Sequence, residues 1–197
     1  MNFNTILVIA SSILSVVCFL PYFIDMVKGK TKPRVVSWFI WSVLAAIACI
    51  AALIDGHYPT AIFLLLSSLA PMAVVVFGWR LGGDRSIEWL DIICLLGALI
   101  GVVLLVIFNS PAFAVIITII IDLIGGVPTL VHAWRRPNEE TWLEFALAGV
   151  AALCMLLVVN SWEVTAFVYP LYLLLINLGV MSIILFRKKR KSSKKKR

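Results

Sequence analysis

Seven long apolar stretches follow one another along the chain, each close to the roughly 20 residues that cross a bilayer as a helix. They run over about Ile6–Val27, Val35–Ile54, Thr60–Trp79, Trp89–Phe108, Ala112–Trp134, Trp142–Val159 and Thr165–Phe186. Polar residues gather in the short gaps between them, which leaves no room for a separate soluble domain. Hydrocarbon offers no partner to an open backbone N–H or C=O, so a spanning segment must satisfy its own as a helix. The pattern predicts an all-α polytopic membrane protein with seven transmembrane helices.

Charge adds the orientation. All 17 Lys and Arg fall in four gaps. Lys28, Lys30, Lys32 and Arg34 fill the first, Arg80 and Arg85 the second, Arg135 and Arg136 the third, and the tail from Arg187 to Arg197 holds the other nine. The gaps around Asp55-Gly-His-Tyr-Pro59, Asn109-Ser-Pro111 and Asn160-Ser-Trp-Glu163 hold none. Basic loops stay cytoplasmic, so the N-terminus is expected outside and the C-terminus inside.

Composition agrees: 62% of residues are hydrophobic, 14% are charged and the mean hydropathy is +1.07. A soluble core of this size has no place for so much apolar side chain. The first stretch lacks a basic leader and a small-residue cleavage site and is expected to be retained. Cys18, Cys49, Cys94 and Cys154 all fall inside spans without a close pair, so neither a metal motif nor a disulfide framework is expected. The two histidines, His57 and His132, are placed on opposite faces, which argues against a His-rich metal site. No metal, no cofactor and no catalytic residue is expected. The net charge of +7 belongs to the tail, because the remaining positions carry eight basic and ten acidic residues. The tail, 187–197, reads as a disordered cytoplasmic segment that contacts anionic lipids, worth about 1 kcal/mol per basic residue near the headgroups, and not as a nucleic-acid patch.

An internal repeat comes next. Leu20-Pro-Tyr-Phe-Ile-Asp-Met-Val-Lys28 matches Val127-Pro-Thr-Leu-Val-His-Ala-Trp-Arg135, with a proline followed seven residues later by a basic side chain. Ser37-Trp38 matches Thr141-Trp142, each opening a helix rich in small residues. Spans one to three and five to seven thus read as two copies of a three-helix unit. An odd number of spans reverses direction, so the extra fourth span makes the copies parallel. The expected divisions are a first bundle at 1–80, a linker helix at 81–110, a second bundle at 111–186 and the tail. This 3+1+3 order, with a proline before a basic loop in spans one and five, resembles the PQ-loop superfamily, which includes the SWEET sugar carriers and the cystinosin-like exporters. Parallel repeats are a feature of SWEET-type carriers. The glutamine that follows the proline in that family is Tyr22 in one copy and Thr129 in the other.

Candidate site residues follow. Asp122 lies about midway along span five, and a carboxyl at that depth is a functional hypothesis by default. Its Asp122-Leu-Ile-Gly-Gly126 context resembles the Asp-x-x-Gly-Gly stretch of cystinosin-like carriers, which implies proton coupling. Asn177, at mid-depth in span seven, can donate to and accept from a solute. Ser67 and Ser68 lie at comparable depth in span three. The resemblance to SWEETs implies that a polar residue on each of these helices faces the substrate. Ser15 is the repeat counterpart of Asp122, and Trp41, a turn deeper than Trp38, could stack on a ring-shaped solute. Trp38 and Trp142 read as interface anchors. Pro21 and Pro128 supply matched bends for a hinge, because proline removes a backbone hydrogen bond. Asp25 and His132, at equivalent repeat positions, sit at the inner mouth. Gly97 and Gly101 form a GxxxG spacing suited to close helix packing.

A carrier of a small polar solute, a sugar or an amino acid, by uniport or coupled to protons is the expected function. A membrane receptor on the same seven-helix fold is the alternative. Enzyme chemistry lacks any metal cluster, Ser-His arrangement or phosphate loop. The short loops point towards a bacterial plasma membrane, and homo-oligomerisation stays open.

Overall fold

The computed structural model describes residues 3–31, 33–87, 89–108, 110–135 and 137–195, with backbone alone at 90, 98, 101, 102, 104–106, 108, 128, 129, 132, 139 and 191–195. Within them the chain is all-helical, with no strand. Eight α-helices follow in order: α1 (Phe3–Val17), α2 (Phe19–Val27), α3 (Val35–Ile54), α4 (Tyr58–Arg80), α5 (Trp89–Phe108), α6 (Pro111–Arg135), α7 (Trp142–Leu156) and α8 (Tyr169–Lys195). A single turn of 3-10 helix at Pro137–Glu139 precedes α7, and a π-helical turn at Val164–Val168 leads into α8.

Four stretches are long and apolar enough to cross a membrane: Phe3–Val27, Val35–Ile54, Tyr58–Arg80 and Val164–Arg190. Pro111–Val127 and Trp142–Leu156 are shorter apolar helices. Large apolar side chains point outward along them, among them Ile13, Leu20, Leu69, Leu157 and Leu175. Continuous exposed apolar surface on this scale is not tolerated in water. The protein is membrane-embedded.

Prolines account for the irregularities. The first stretch breaks at Cys18 into α1 and α2. Pro21 has no N–H to offer the carbonyl of Val17, four residues back, and the ladder lapses there. The break is mild, since Cys18 keeps right-handed dihedrals (φ −56°, ψ −27°) and still donates its N–H to Leu14 at 2.9 Å. Pro170 likewise leaves the Ala166 carbonyl free, at the π-helical turn. The Thr60 hydroxyl donates to it from α4 at 3.4 Å. On α6 the backbone runs through Pro128 without a break, and the proline's own side chain lies outside the described residues. The matched bends expected of Pro21 and Pro128 are therefore unequal. Pro71, inside α4, is a third site where a bond is lost.

Two boundaries differ from expectation. The seventh apolar stretch opens in π-helical rather than α-helical geometry. The basic segment, expected to be disordered from Arg187, continues α8 to Lys195. Lys and Arg are good helix formers, so a helix already running through Phe186 has no local reason to stop.

Packing between helices repeats. α4 lies between α3 and α1, and α8 lies between α7 and α6. Across the middle, α1 packs on α7 and α3 packs on α6. Exchanging α1 for α6, α3 for α7 and α4 for α8 maps this set of neighbours onto itself. α5 stands outside the exchange, against α6 and α3. It packs closely there, since a Cβ on Gly97 would fall 2.7 Å from the Ile121 side chain. At one end an ion pair ties α5 in, with the Arg34 guanidinium donating to Asp91 at 2.7 Å.

Candidate functional site

A cavity of about 130 Å³ lies where the four central helices α1, α3, α6 and α7 meet α4 and α8. That is well above the roughly 10–15 Å³ that one water requires. Five residues expected from the sequence line it: Ser15, Trp41, Ser67, Asp122 and Asn177. They come from five helices, with α1, α3 and α4 on one side and α6 and α8 on the other.

Asp122 is the polar centre. It is 8% exposed, and the Tyr172 hydroxyl and the Trp41 indole lie beside it. One carboxyl on α6 thus faces α3 and α8. The other polar groups are held by their own helices. Ser15 donates to the Ser12 carbonyl at 2.8 Å, Ser67 to Phe63 at 2.9 Å, and Asn177 through Nδ2 to Leu173 at 2.8 Å. Each keeps its oxygen as an acceptor towards the cavity. Pro71 also lines the cavity and, lacking an N–H, leaves the Ser67 carbonyl without its helical donor.

Ser68 is a correction. It is buried, but it faces α3 and not the cavity: its hydroxyl donates to the Ser42 carbonyl at 2.9 Å, and Ser42 returns a bond to the Ser68 carbonyl at 2.8 Å. One residue of helix rotation is about 100°, so neighbouring serines cannot share a face. Trp38 is also corrected. It is 5% exposed, lines the cavity and donates to the Tyr22 hydroxyl at 3.2 Å, so it is no interface anchor. Tyr22 thereby holds Trp38. Trp38 in turn meets Trp41 edge-on, with ring centroids 5.0 Å apart. Trp142 is 38% exposed, as an anchor requires.

Tyr169, Tyr172 and Glu144 are among the cavity residues that were not expected. Tyr169 and Tyr172 come from the first turn of α8. Glu144 lies in the first turn of α7, is 3% exposed, and its Oε2 has no hydrogen-bond partner. The pairing of an acid with a helix N-terminus is a common stabilising arrangement, which conceals such a residue in a sequence.

Both ends of the cavity are crossed by polar bonds between the halves. At the end bearing the basic loops, the Thr141 hydroxyl donates to Asp25 at 2.9 Å, with the Lys30 ammonium 3.9 Å from the same carboxylate. Asp25 was expected at this mouth; its partners there are Thr141 and Lys30. His132, its repeat mate, has its side chain outside the described residues. At the opposite end the Thr165 hydroxyl donates to Asp55 at 2.6 Å, and His57 Nε2 lies 2.7 Å from Glu163. Ligand atoms of Asp55, His57 and Glu163 come within 4.8 Å of one another, a cluster the sequence spacing hides. Beside the second basic gap, Asp84 accepts from the Ser86 backbone N–H at 2.9 Å. That bond, the Ser86 hydroxyl and the nearby Arg34 hold its carboxyl below the usual range.

No protein-family model matches the chain, and neither a curated protein nor a solved structure matches it.

Proposed function

We propose that the protein is a membrane carrier that moves a small polar solute by alternating access, with Asp122 as the group that exchanges a proton. Its frame would be seven spans in 3+1+3 order, N-terminus outside and C-terminus inside, in the manner of the PQ-loop and SWEET-like carriers, in a bacterial plasma membrane. The observation that carries the reading is the cavity itself, which takes polar groups from both halves of a packing that exchanges onto itself. Two further features support it. Polar bonds cross the halves at both ends of the cavity, as gates must. The break at Cys18 and the loosened turn before Pro170 are places where helices can bend.

A carboxyl on one helix that faces two others suits coupling. Taking up or losing its proton changes what the neighbouring Trp41 and Tyr172 can donate to, and so how α3 and α8 are held against α6. Purified protein in liposomes, with a pH-sensitive dye and a panel of sugars, amino acids, nucleosides and amines, tests this. Solute-dependent proton movement that is lost in Asp122→Asn is the expected result. Solute flux of equal size in both proteins, without proton movement, would remove Asp122 from the coupling. Saturable binding without flux would replace the carrier by a receptor.

A further inference from the structure

We infer that the cavity is built for a small primary amine that carries no carboxylate, with Glu144 as the residue that selects it. The inference rests on the carrier reading and names its substrate class.

The charged groups that line the cavity among the described residues are Asp122 and Glu144, and no Lys, Arg or His lines it. The two differ in what they lack. Asp122 has the Trp41 indole and the Tyr172 hydroxyl beside it. Glu144 Oε2 is buried with no donor, and the groups placed to act on it electrostatically are Glu140, Cys18 and Tyr22. None of these is a cation. A buried acceptor left without a donor is costly, and an ionised one more so. A solute that brings an ammonium removes both deficits at once when the carboxyl of Glu144, a lining residue, turns towards it.

The walls point the same way. Trp38, Trp41, Tyr169 and Tyr172 place aromatic rings around the same volume, and ring faces attract cations. A quaternary ammonium would meet the rings but has no N–H for Glu144 Oε2. A zwitterionic amino acid would bring a carboxylate into a cavity that holds two carboxyls and no cation to meet it. A neutral polyol would leave the negative charge uncompensated. A primary amine has none of these faults.

Isothermal titration of the full-length protein in nanodiscs tests the ranking. Butylamine, tetramethylammonium, butanol, 4-aminobutanoate and glucose are titrated into the native chain and into Glu144→Gln. Butylamine is expected to bind at least tenfold tighter than butanol and 4-aminobutanoate, and to bind more tightly than tetramethylammonium. Glu144→Gln is expected to lower its affinity tenfold or more. The native-chain ranking needs no variant, so misfolding of Glu144→Gln leaves the test intact. Butylamine no tighter than butanol overturns the inference. So does flux of another solute in the liposome panel with no amine binding, which leaves the carrier standing. Absence of flux and binding for every solute overturns both.

Discussion

The bond between Thr165 and Asp55 should hold the cavity shut at the end away from the basic loops, and Thr165→Val removes it while keeping the side chain's shape. The bond is short, 2.6 Å, and its acceptor is a carboxylate. Thr165 is 1% exposed, whereas Asp55 lies at the surface. Hydrogen bonds to charged groups contribute about 1.5–3 kcal/mol, and partial exposure lowers this to about 1–2 kcal/mol. At 1.4 kcal/mol per factor of ten, opening at this end becomes about 5–30 times more frequent. The neighbouring His57–Glu163 pair is as close, but the Glu163 side chain is 64% exposed. Such a surface pair contributes about 0–1 kcal/mol, so His57→Ala should act several times more weakly. Accessibility of the cavity reads the difference. A cysteine in place of Ser67, in a Cys18→Ser, Cys154→Ala background, is labelled by an impermeant maleimide added from that side; Cys49 and Cys94 are buried away from the cavity. Thr165→Val should speed labelling 5–30-fold while lowering the melting temperature by only about 2–8 °C. A rate within twofold of the parent, or a larger effect from His57→Ala, would refute the assignment of this bond as the principal closure.

The reciprocal Ser42–Ser68 bonds join α3 to α4 within the first half, so removing one hydroxyl should weaken folding without touching solute binding. Ser68→Ala should cost about 0.6 kcal/mol and at most about 1.7 kcal/mol, the range for hydrogen bonds between helices in membranes; steric-trap unfolding measures it, and a loss of solute affinity at unchanged stability would return Ser68 to the cavity. Asp84 should titrate below the ordinary aspartate value of about 3.9, as read by NMR of its carboxyl carbon. Because its folded value is depressed, its contribution is present above the unfolded value and is lost as pH falls through the folded one. Asp84→Asn should therefore remove that part of the acid sensitivity, and an unchanged acid limb of the melting curve would show that the Ser86 turn contributes nothing.

The helices were legible because their lengths are set by the bilayer and their gaps by charge. Depth and repeat position singled out Ser15, Ser67, Asp122 and Asn177, Trp41 was singled out as a turn deeper than Trp38, and all five line one cavity. Facing direction was not legible. Ser67 and Ser68 stand at the same depth, and only helix rotation, set by packing against α3, turns one inward and the other away. Trp38 and Trp142 are repeat mates with opposite fates for the same reason, since Tyr22 pulls Trp38 inward. The Asp55, His57, Glu163 and Thr165 group joins segments more than a hundred positions apart, and no local pattern links them. The tail's helix was missed because composition was weighed without asking what would end α8.

Glu144 shows why a repeat comparison alone misassigns such a cavity. Aligning Thr141-Trp142 with Ser37-Trp38 makes Phe145 the mate of Trp41, and aligning Pro128 with Pro21 makes Asp122 the mate of Ser15. On the α3–α6 seam the two positions form a polar pair, the Trp41 indole beside Asp122. On the α1–α7 seam the same two positions hold Ser15 and Phe145, which cannot bond in that way. Comparison by register therefore assigns the acid to one seam and leaves the other without one. Glu144 stands one residue before Phe145 and supplies the second seam with its carboxyl from a different register. Both seams that would part in the proposed alternating access thus carry an acid facing the same volume, one with an indole and a phenol beside it and one with an oxygen that lacks a donor. An imbalance of that kind gives a solute a reason to bind at a defined end of the cavity. A bond to Glu144 forms with α7, while Asp122 stands on α6 facing α3 and α8. A ligand that reaches both acids would link the two seams, which is what coupling its binding to their movement requires.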